Sequence, residues 1–197
     1  MRLPLGPYQA NCYLVAREGA ADAVVVDPGD EPQRVLDELA NHGWTAGAIL
    51  VTHAHLDHIG GVRGVAEATG APVYAPREEA EELRTFAPAP YDPEILVDAG
   101  DTVSAAGIDF STHSVPGHTR DSIAYAAEGL VFSGDVLFDG GIGRSDLAGG
   151  DHETLIASIA GLIAALPPET VVLSGHGAPT TLGREQAVNP FLAGLRP

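Results

Sequence analysis

The segment that decides the fold reads Val51-Thr52-His53-Ala54-His55-Leu56-Asp57-His58-Ile59-Gly60-Gly61. An apolar run, residues 48–51, opens it, and the residues that follow it, 62–69, can form a helix. A continuous apolar run that gives way to spaced apolar residues is typical of a strand that passes through a loop into a helix. We therefore predict a strand–loop–helix unit whose loop carries a group of polar side chains.

Four side chains of this loop can bind a metal ion: His53, His55, Asp57 and His58. His53 and His55 point the same way, because side chains alternate in an extended chain. Asp57 and His58 come at the start of the helix, where a carboxylate is favoured by the helix dipole. With the His and Asp content of this chain, the same spacing arises by chance in roughly one sequence in a thousand. The pattern therefore indicates a metal site rather than a solvated polar turn.

Three more candidate ligands each follow an apolar segment and lie beside a glycine: His118, Asp135 and His176. A glycine at the end of a strand lets the backbone turn, so the next side chain is presented at the rim of the sheet. If these strands are neighbours, their three ligands converge on the loop described above. Five histidines and two aspartates suit two borderline metal ions.

Apolar segments bounded by Gly, Pro or Asp predict eight strands. They cover residues 12–16, 23–27, 48–52, 72–74, 108–115, 122–126, 130–133 and 170–174. Helical periodicity predicts helices over 32–42 and 152–166, and a short charged helix over 77–84. Strands in succession, with helices between later ones, indicate sheets packed face to face with helices outside. The irregular segment 76–93 fits a loop over a site and a surface excursion equally well.

The motif His53-x-His55-x-Asp57-His58, followed in order by His118, Asp135 and His176, resembles the metallo-β-lactamase superfamily over nearly the whole chain. Residues 141–147 and Gly175-His176-Gly177 are similar to the short glyoxalase II-like hydrolases, the hydroxyacylglutathione hydrolase type. The resemblance implies an α/β fold of four layers, an αββα sandwich of two mixed sheets with helices outside. It also implies that the metals lie at the edge of the two sheets.

When the ligands of the family are carried over residue by residue, the resemblance implies two divalent metal ions. Zinc is the first choice, and iron and manganese are alternatives. The first ion would be held by His53, His55 and His118, the second by Asp57, His58 and His176, and Asp135 would bridge both. Two ions held ~3.5–4 Å apart share a water whose pKa falls towards ~7, which generates hydroxide at neutral pH. Asp57 would also orient this hydroxide, and is the candidate catalytic residue.

The function implied is hydrolysis of a small anionic thioester of the hydroxyacyl-glutathione kind. Arg144 is the candidate substrate anchor, because a guanidinium binds a carboxylate through two parallel hydrogen bonds. A salt bridge from Arg144 to Asp146 or Asp139 is an equally good interpretation. The alternative function on the same fold is a mono-iron persulfide dioxygenase, with His53, His118 and Asp135 as its ligands. A metal-binding protein without enzymatic activity is a third class, which a full set of seven ligands disfavours.

The residues of this chain fit three other branches of the superfamily less well. Its β-lactamases often carry a cysteine at or near the position of Asp135, whereas the single cysteine, Cys12, lies in the first predicted strand. Flavodiiron relatives carry a glutamate where His55 stands. Nucleases of the superfamily need a basic surface, and this chain has a formal charge of −17. Antibiotic hydrolysis, reduction of oxygen or nitric oxide, and nucleic-acid cleavage are therefore disfavoured.

Chain length, charge and apolar runs limit the number of domains, the partners and the location that we expect for this protein. The 197 residues predict a single domain over 1–197, and the helical domain that full-length glyoxalase II enzymes append for glutathione is not expected. All ten basic residues are arginines against 27 acidic residues, which disfavours nucleic acid and anionic membranes as partners. No apolar run suits a signal peptide or a membrane span, so we expect a cytoplasmic protein. Nothing in the sequence indicates its oligomeric state.

Overall fold

Two six-stranded sheets form the centre of the molecule in a computed structural model, which describes residues 1–86 and 89–195. The first sheet contains, in spatial order, β1 (Arg2–Leu5), β2 (Ala10–Val15), β3 (Asp22–Val26), β4 (Thr45–Leu50), β5 (Val73–Pro76) and β6 (Ile95–Val97). Strands β1 to β3 pair antiparallel and β3 to β6 pair parallel. The first sheet is therefore mixed, as predicted.

The second sheet contains, in spatial order, β14 (Thr180–Thr181), β13 (Val171–Ser174), β10 (Leu130–Gly134), β9 (Ile123–Ala127), β8 (Ile108–Ser114) and β7 (Thr102–Ala105). Its one parallel pair is β10 with β13, and the other pairs are antiparallel. A short hairpin of β11 (Leu137–Phe138) and β12 (Gly141–Ile142) follows β10. The second sheet is mixed as well.

Alternation along the strands divides the apolar residues between two sides of each sheet. In β3, Val24 and Val26 belong to the core between the sheets, whereas Val25 belongs to the core on the outer side. Phe110 and Phe132 come into the central core from the second sheet, with their ring centroids 6.2 Å apart. Both faces are thus buried at the inner strands, which is why β3 and β10 are nearly continuous apolar runs. In β7 and β8 buried and exposed residues alternate instead.

Helices cover the two outer faces. The helices are α1 (Pro32–Asn41), α2 (Leu56–Ile59), α3 (Val62–Thr69), α4 (Ala80–Thr85), α5 (His152–Ala165) and α6 (Leu182–Val188), with 3₁₀ turns at Arg77–Glu79 and Pro190–Leu195. Helices α1 and α3 pack on the outer core of the first sheet, and α5 and α6 on that of the second. This order of layers is the predicted αββα sandwich, and the prediction is confirmed.

The structure corrects several details of the strand prediction. Helix α6 and six strands, β1, β6, β7, β11, β12 and β14, were not predicted, and Cys12 consequently lies in the second strand rather than the first. The predicted charged helix over 77–84 is a 3₁₀ turn followed by α4. Of the irregular segment 76–93, residues 87 and 88 lie outside the described residues. Among the residues that the structure describes, no helix is long and apolar enough to cross a membrane.

Candidate metal centre

The predicted ligands follow strands whose carboxyl ends meet at one edge of the sandwich. Strand β4 leads into the 51–58 segment, and β8, β10 and β13 point the same way because β9 is antiparallel to both of its neighbours. Backbone hydrogen bonds join the two sheets at this edge: Ile123 N–H donates to the Thr52 carbonyl at 2.9 Å, and Asn11 N–H donates to that of Gly175 at 2.7 Å. The fold itself therefore brings the ligand loops together.

The first ligand group is formed by His53, His55 and His118, whose ligand atoms lie within 4.8 Å of one another. The Nδ1 atom of His55 is 2.8 Å from Nε2 of His118. His53 and His118 are buried, and His55 is half-buried at the mouth of the group. Three imidazoles that converge in this way suit zinc or another borderline cation.

The second ligand group is formed by Asp57, His58 and His176, also within 4.8 Å. Asp135 lies between the two groups. Its carboxylate oxygens are 3.4 Å from Nε2 of His58, 3.4 Å from Nε2 of His176 and 3.7 Å from Nε2 of His118. All seven residues predicted from the sequence thus come together, with Asp135 in the position that the bridging role requires.

Hydrogen bonds to the far ring nitrogens orient three of the histidines. Nδ1 of His58 lies 2.9 Å from the Asp27 carboxylate, and Nδ1 of His118 lies 2.7 Å from the Arg144 carbonyl. Nδ1 of His53 lies 3.1 Å from the Thr52 hydroxyl oxygen. Because a carboxylate or a carbonyl only accepts, Nδ1 of His58 and of His118 must carry the hydrogen, which leaves Nε2 free to bind a metal.

Buried atoms without a hydrogen-bond partner provide a test of whether this group of residues fits a metal. Among the described residues these atoms are Nε2 of His53, Nε2 of His58 and Oδ1 of Asp135. An unpaired buried polar atom costs about 1–3 kcal/mol, and all three atoms belong to predicted ligands. A cation at this position would satisfy them together, so the residues fit a metal centre.

The charges of the site favour a cation as well. Burial and the neighbouring His58 lower the pKa of His53 well below its usual value. Burial opposes ionisation of Asp135, but His58 and His176 outweigh it and hold the pKa of this carboxyl well below its usual range. Hydrogen bonds to Asp135 and Asp57 raise the pKa of His176 to about 9. A neutral His53 and an ionised Asp135 are the forms in which these side chains bind a cation.

Two glycines make the close approach of these side chains possible. A Cβ on Gly175 would lie 2.1 Å from Oδ1 of Asp135, and one on Gly134 would lie 2.5 Å from Oγ1 of Thr52. Gly134 also has a φ of +51°, in the left-handed region that disfavours side chains. The backbone of Gly134 agrees with the predicted turn before a ligand, and steric clearance is a further reason for glycine at both positions.

Asp27 and Glu79 are two buried carboxylates that the sequence analysis missed. Asp27, at the end of β3, accepts from Thr52 N–H at 2.7 Å and from its hydroxyl at 2.6 Å, besides its contact with His58. Glu79 accepts from Ala54 N–H at 2.5 Å, from the Thr119 hydroxyl and from Asp121 N–H at 3.2 Å. Each carboxylate thus fixes ligand-bearing loops. The only sequence signal was the position of Asp27 directly after an apolar run.

Arg144 pairs with Asp146 through Nε–Oδ1 and Nη2–Oδ2 distances of 2.9 and 2.8 Å. Asp139, the other partner considered for it, pairs with Arg184 instead. Arg144 also lines a cleft of about 540 Å³ that exposes the metal ligands. An exposed ion pair is worth only about 0–1 kcal/mol, so the pair does not prevent this arginine from binding a substrate.

Apolar side chains surround the same cleft: Tyr8, Leu56, Phe138, Ile142 and Leu147. Tyr8, Leu56 and Leu147 are 61%, 53% and 42% exposed, which is unusual for side chains of this size. The volume is within the range of small-molecule sites. The metal centre is therefore accessible to a small substrate with apolar parts.

The sequence profile of the metallo-beta-lactamase superfamily matches residues 5–176. The chain therefore belongs to this superfamily. It is 38% identical over 211 residues to YqgX of Bacillus subtilis (strain 168), described as a probable metallo-hydrolase, with 98% of this chain and 97% of that protein covered. It is 32% identical over 204 residues to the hydroxyacylglutathione hydrolase GloC of Haemophilus influenzae, with 96% of each covered.

Three solved structures are similar to this chain over 98% of its length. BLEG-1, described as a B3 metallo-beta-lactamase, has a TM-score of 0.91 at 38% identity, with 98% of this chain and 99% of that chain covered. TTHA1623, solved in a di-iron-bound form, has a TM-score of 0.82 at 38% identity, covering 98% and 100%. ETHE1 from Myxococcus xanthus has a TM-score of 0.86 at 31% identity, covering 98% and 84%.

Proposed function

We propose that this protein is a binuclear metal-dependent hydrolase that cleaves small anionic thioesters of the hydroxyacyl-glutathione kind. The observation that carries the proposal is the presence of two ligand groups that share no residue, with Asp135 within 3.7 Å of a histidine of each. A third possible group, Asp27, His53 and His58, takes one histidine from each of them. The similarity to a hydroxyacylglutathione hydrolase over 96% of both chains supports the thioester as substrate class.

His53, His55 and His118 would hold one ion, Asp57, His58 and His176 the other, and Asp135 both. Bound divalent ions supply Lewis-acid polarisation of a carbonyl and lower the pKa of water to about 7. Zinc is the first choice for this ligand set, and the di-iron-bound relative makes iron an equal candidate. Asp57, whose Oδ2 lies 3.2 Å from Nε2 of His176, would accept a hydrogen bond from the attacking water.

Chain residues around the cleft would position the substrate. The apolar rim described above would exclude water from one side of the thioester, and Arg144 would bind a substrate carboxylate in place of Asp146. The leaving thiolate requires no strong general acid. This agrees with the absence, among the described cleft residues, of any acidic side chain other than the ligands Asp57 and Asp135.

β-Lactam hydrolysis is a second candidate. The single cysteine, which is buried in β2 and belongs to neither ligand group, counts against it, whereas the 38% identity to BLEG-1 counts in its favour. The mono-iron alternative uses only His53, His118 and Asp135. It leaves four of the seven without a role, His55 and the whole second group of Asp57, His58 and His176, so the complete second group favours the binuclear hydrolase.

The test combines metal analysis with a substrate panel. Protein purified without added metal is assayed for metal content and for hydrolysis of S-lactoylglutathione, an uncharged thioester and a β-lactam, before and after chelation. We expect two ions per chain, thioester hydrolysis that chelation abolishes, and restoration when metal is added back. A single iron together with oxygen-dependent turnover of a persulfide would replace the proposal with the dioxygenase, and β-lactam turnover alone would replace it with the second candidate.

A further inference from the structure

Among the arginines that the structure describes, Arg120 differs from the others in having neither an ion pair nor a hydrogen bond. Among the nine arginines that the structure describes, seven form ion pairs with carboxylates, and Arg2 donates to the Gly177 carbonyl. Arg120 is exposed and forms no ion pair and no hydrogen bond in the described part of the chain. In a protein with 27 acidic residues, a guanidinium without a carboxylate partner is unexpected on electrostatic grounds alone.

The surroundings of Arg120 place it at the metal centre. It follows the ligand His118 by two residues and lines a cavity of about 360 Å³ together with His55. Gly149 leaves room for its side chain, since a Cβ there would lie 3.2 Å from Cγ of Arg120. His55 also lines the main cleft. A substrate whose reacting carbonyl lies at the ligands can therefore extend past His55 into this second cavity.

Three carboxylates face the same cavity: Glu78, Glu79 and Glu82. Glu79 is buried, and both of its oxygens accept hydrogen bonds from the protein. Glu78 and Glu82 are exposed, and neither forms an ion pair among the described residues. A ligand that carried only a carboxylate would be attracted by Arg120 and repelled by these two groups. A ligand that carried a carboxylate and an ammonium group would complement both.

We propose that this cavity is a second substrate subsite that binds an amino-acid-like group of the thiol half of the substrate. Arg120 binds its carboxylate, and Glu78 and Glu82 bind its ammonium. This inference rests on the proposed function, which supplies the thioester at the metal centre. It assigns the amino-acid end of the thiol half to the cavity beside His55. The cleft with the apolar rim then holds the acyl half and the rest of the thiol half, whose second carboxylate lies near Arg144.

The test uses a charge series on one thiol. S-Acetylglutathione carries both charges, its N-acetyl derivative lacks the ammonium, and its dimethyl ester lacks the carboxylates. For the metal-loaded enzyme we expect Arg120→Ala to raise KM for S-acetylglutathione about tenfold and to leave KM for the dimethyl ester unchanged. Arg120→Lys should recover part of the loss. Exchange of Glu78 and Glu82 for Gln should raise KM about threefold for S-acetylglutathione and not for its N-acetyl derivative.

Arg17→Ala is the matched control, since Arg17 is also exposed, pairs with Glu128 and lines neither cavity. Binding of S-methylglutathione, a thioether that cannot be hydrolysed, is measured by calorimetry on the same metal-loaded proteins. Equal affinity in wild type and Arg120→Ala would overturn the subsite, whatever the hydrolysis rates. If Arg120→Ala loses affinity but the wild type hydrolyses no thioester, the subsite is supported and the proposed reaction is refuted.

Discussion

Glu79 connects the two halves of the first ligand group, although it is not itself a predicted ligand. It accepts from the N–H of Ala54, between His53 and His55, and from the hydroxyl of Thr119, next to His118. We expect Glu79→Ala to weaken binding of the first metal about tenfold to a hundredfold, as is usual when a group that orients ligands is removed. Titration of the metal-free protein with zinc measures the effect.

Glu79→Gln keeps the shape of the side chain and one acceptor oxygen, so it should lose less affinity than Glu79→Ala. Glu81→Gln is the control, because Glu81 is exposed on the next turn and only approaches Arg84. Unchanged affinity in Glu79→Ala, with a lowered melting temperature, would mean that Glu79 serves only the stability of the fold.

Asp135 and His176 should respond differently to substitution, because only Asp135 faces both ligand groups. Asp135→Ala should lose both metals. His176→Ala should retain the first metal and weaken the second. Elemental analysis after dialysis gives the metal per chain, with His113→Ala as a control, since His113 is half-buried and belongs to neither group. Two bound metals in Asp135→Ala would show that this carboxylate does not bridge.

Arg144 should affect substrates according to their charge. If it binds a carboxylate, Arg144→Ala should lower kcat/KM for an anionic thioester about tenfold to a hundredfold, the usual value of a charge-assisted hydrogen bond of about 1.5–3 kcal/mol. A neutral thioester should be hydrolysed almost equally by both proteins. Equal losses on the two substrates would limit Arg144 to its observed pair with Asp146.

At the scale of elements, helix α5 supports the loop that carries His118. Asp151, the residue before the helix, accepts from Thr154 N–H at 2.7 Å, and its own N–H donates to the Gly117 carbonyl at 2.8 Å. Ile159 is fully buried against the second sheet. Ile159→Ala should therefore lower the free energy of unfolding by about 2–5 kcal/mol, measured by urea denaturation. The half-exposed Ile163 is the control, and a similar loss in Ile163→Ala would contradict this view of the packing.

The residues of each strand explain why it could or could not be predicted from the sequence. Strands β3, β4 and β10 were predicted because they contain apolar runs that are buried on both faces, and β8 because buried and exposed residues alternate along it. Strand β1 contains Pro4, and β6 and β7 have only three and four residues, so neither periodicity nor length distinguishes them from loops. The seven ligands were predictable because histidine is rare and its spacing is informative. Asp27 and Glu79 were not, since they are two among 27 acidic residues and only the tertiary structure shows their burial.

At the scale of the whole molecule, the charge of −17 should make stability depend on salt. Ten arginines can neutralise at most ten of the 27 acidic residues, so most carboxylates repel one another in the folded state. The surface ion pairs that salt also weakens are worth only about 0–1 kcal/mol each. Screening should therefore remove more repulsion than attraction, and the metal-loaded protein should become more stable as ionic strength rises.

The measurement is the melting temperature of the metal-loaded protein between about 20 mM and about 500 mM NaCl, a range over which the Debye length falls from about 20 Å to about 4 Å. A rise of about 2–4 °C is expected for each kcal/mol of repulsion removed, given a domain of this size. Sodium chloride is preferred to sulfate, because sulfate also strengthens apolar burial. Metal content is checked at each salt concentration, so that loss of metal is not mistaken for a charge effect. A melting temperature that falls with added salt would mean that the ion pairs of the seven paired arginines outweigh the repulsion among the unpaired carboxylates.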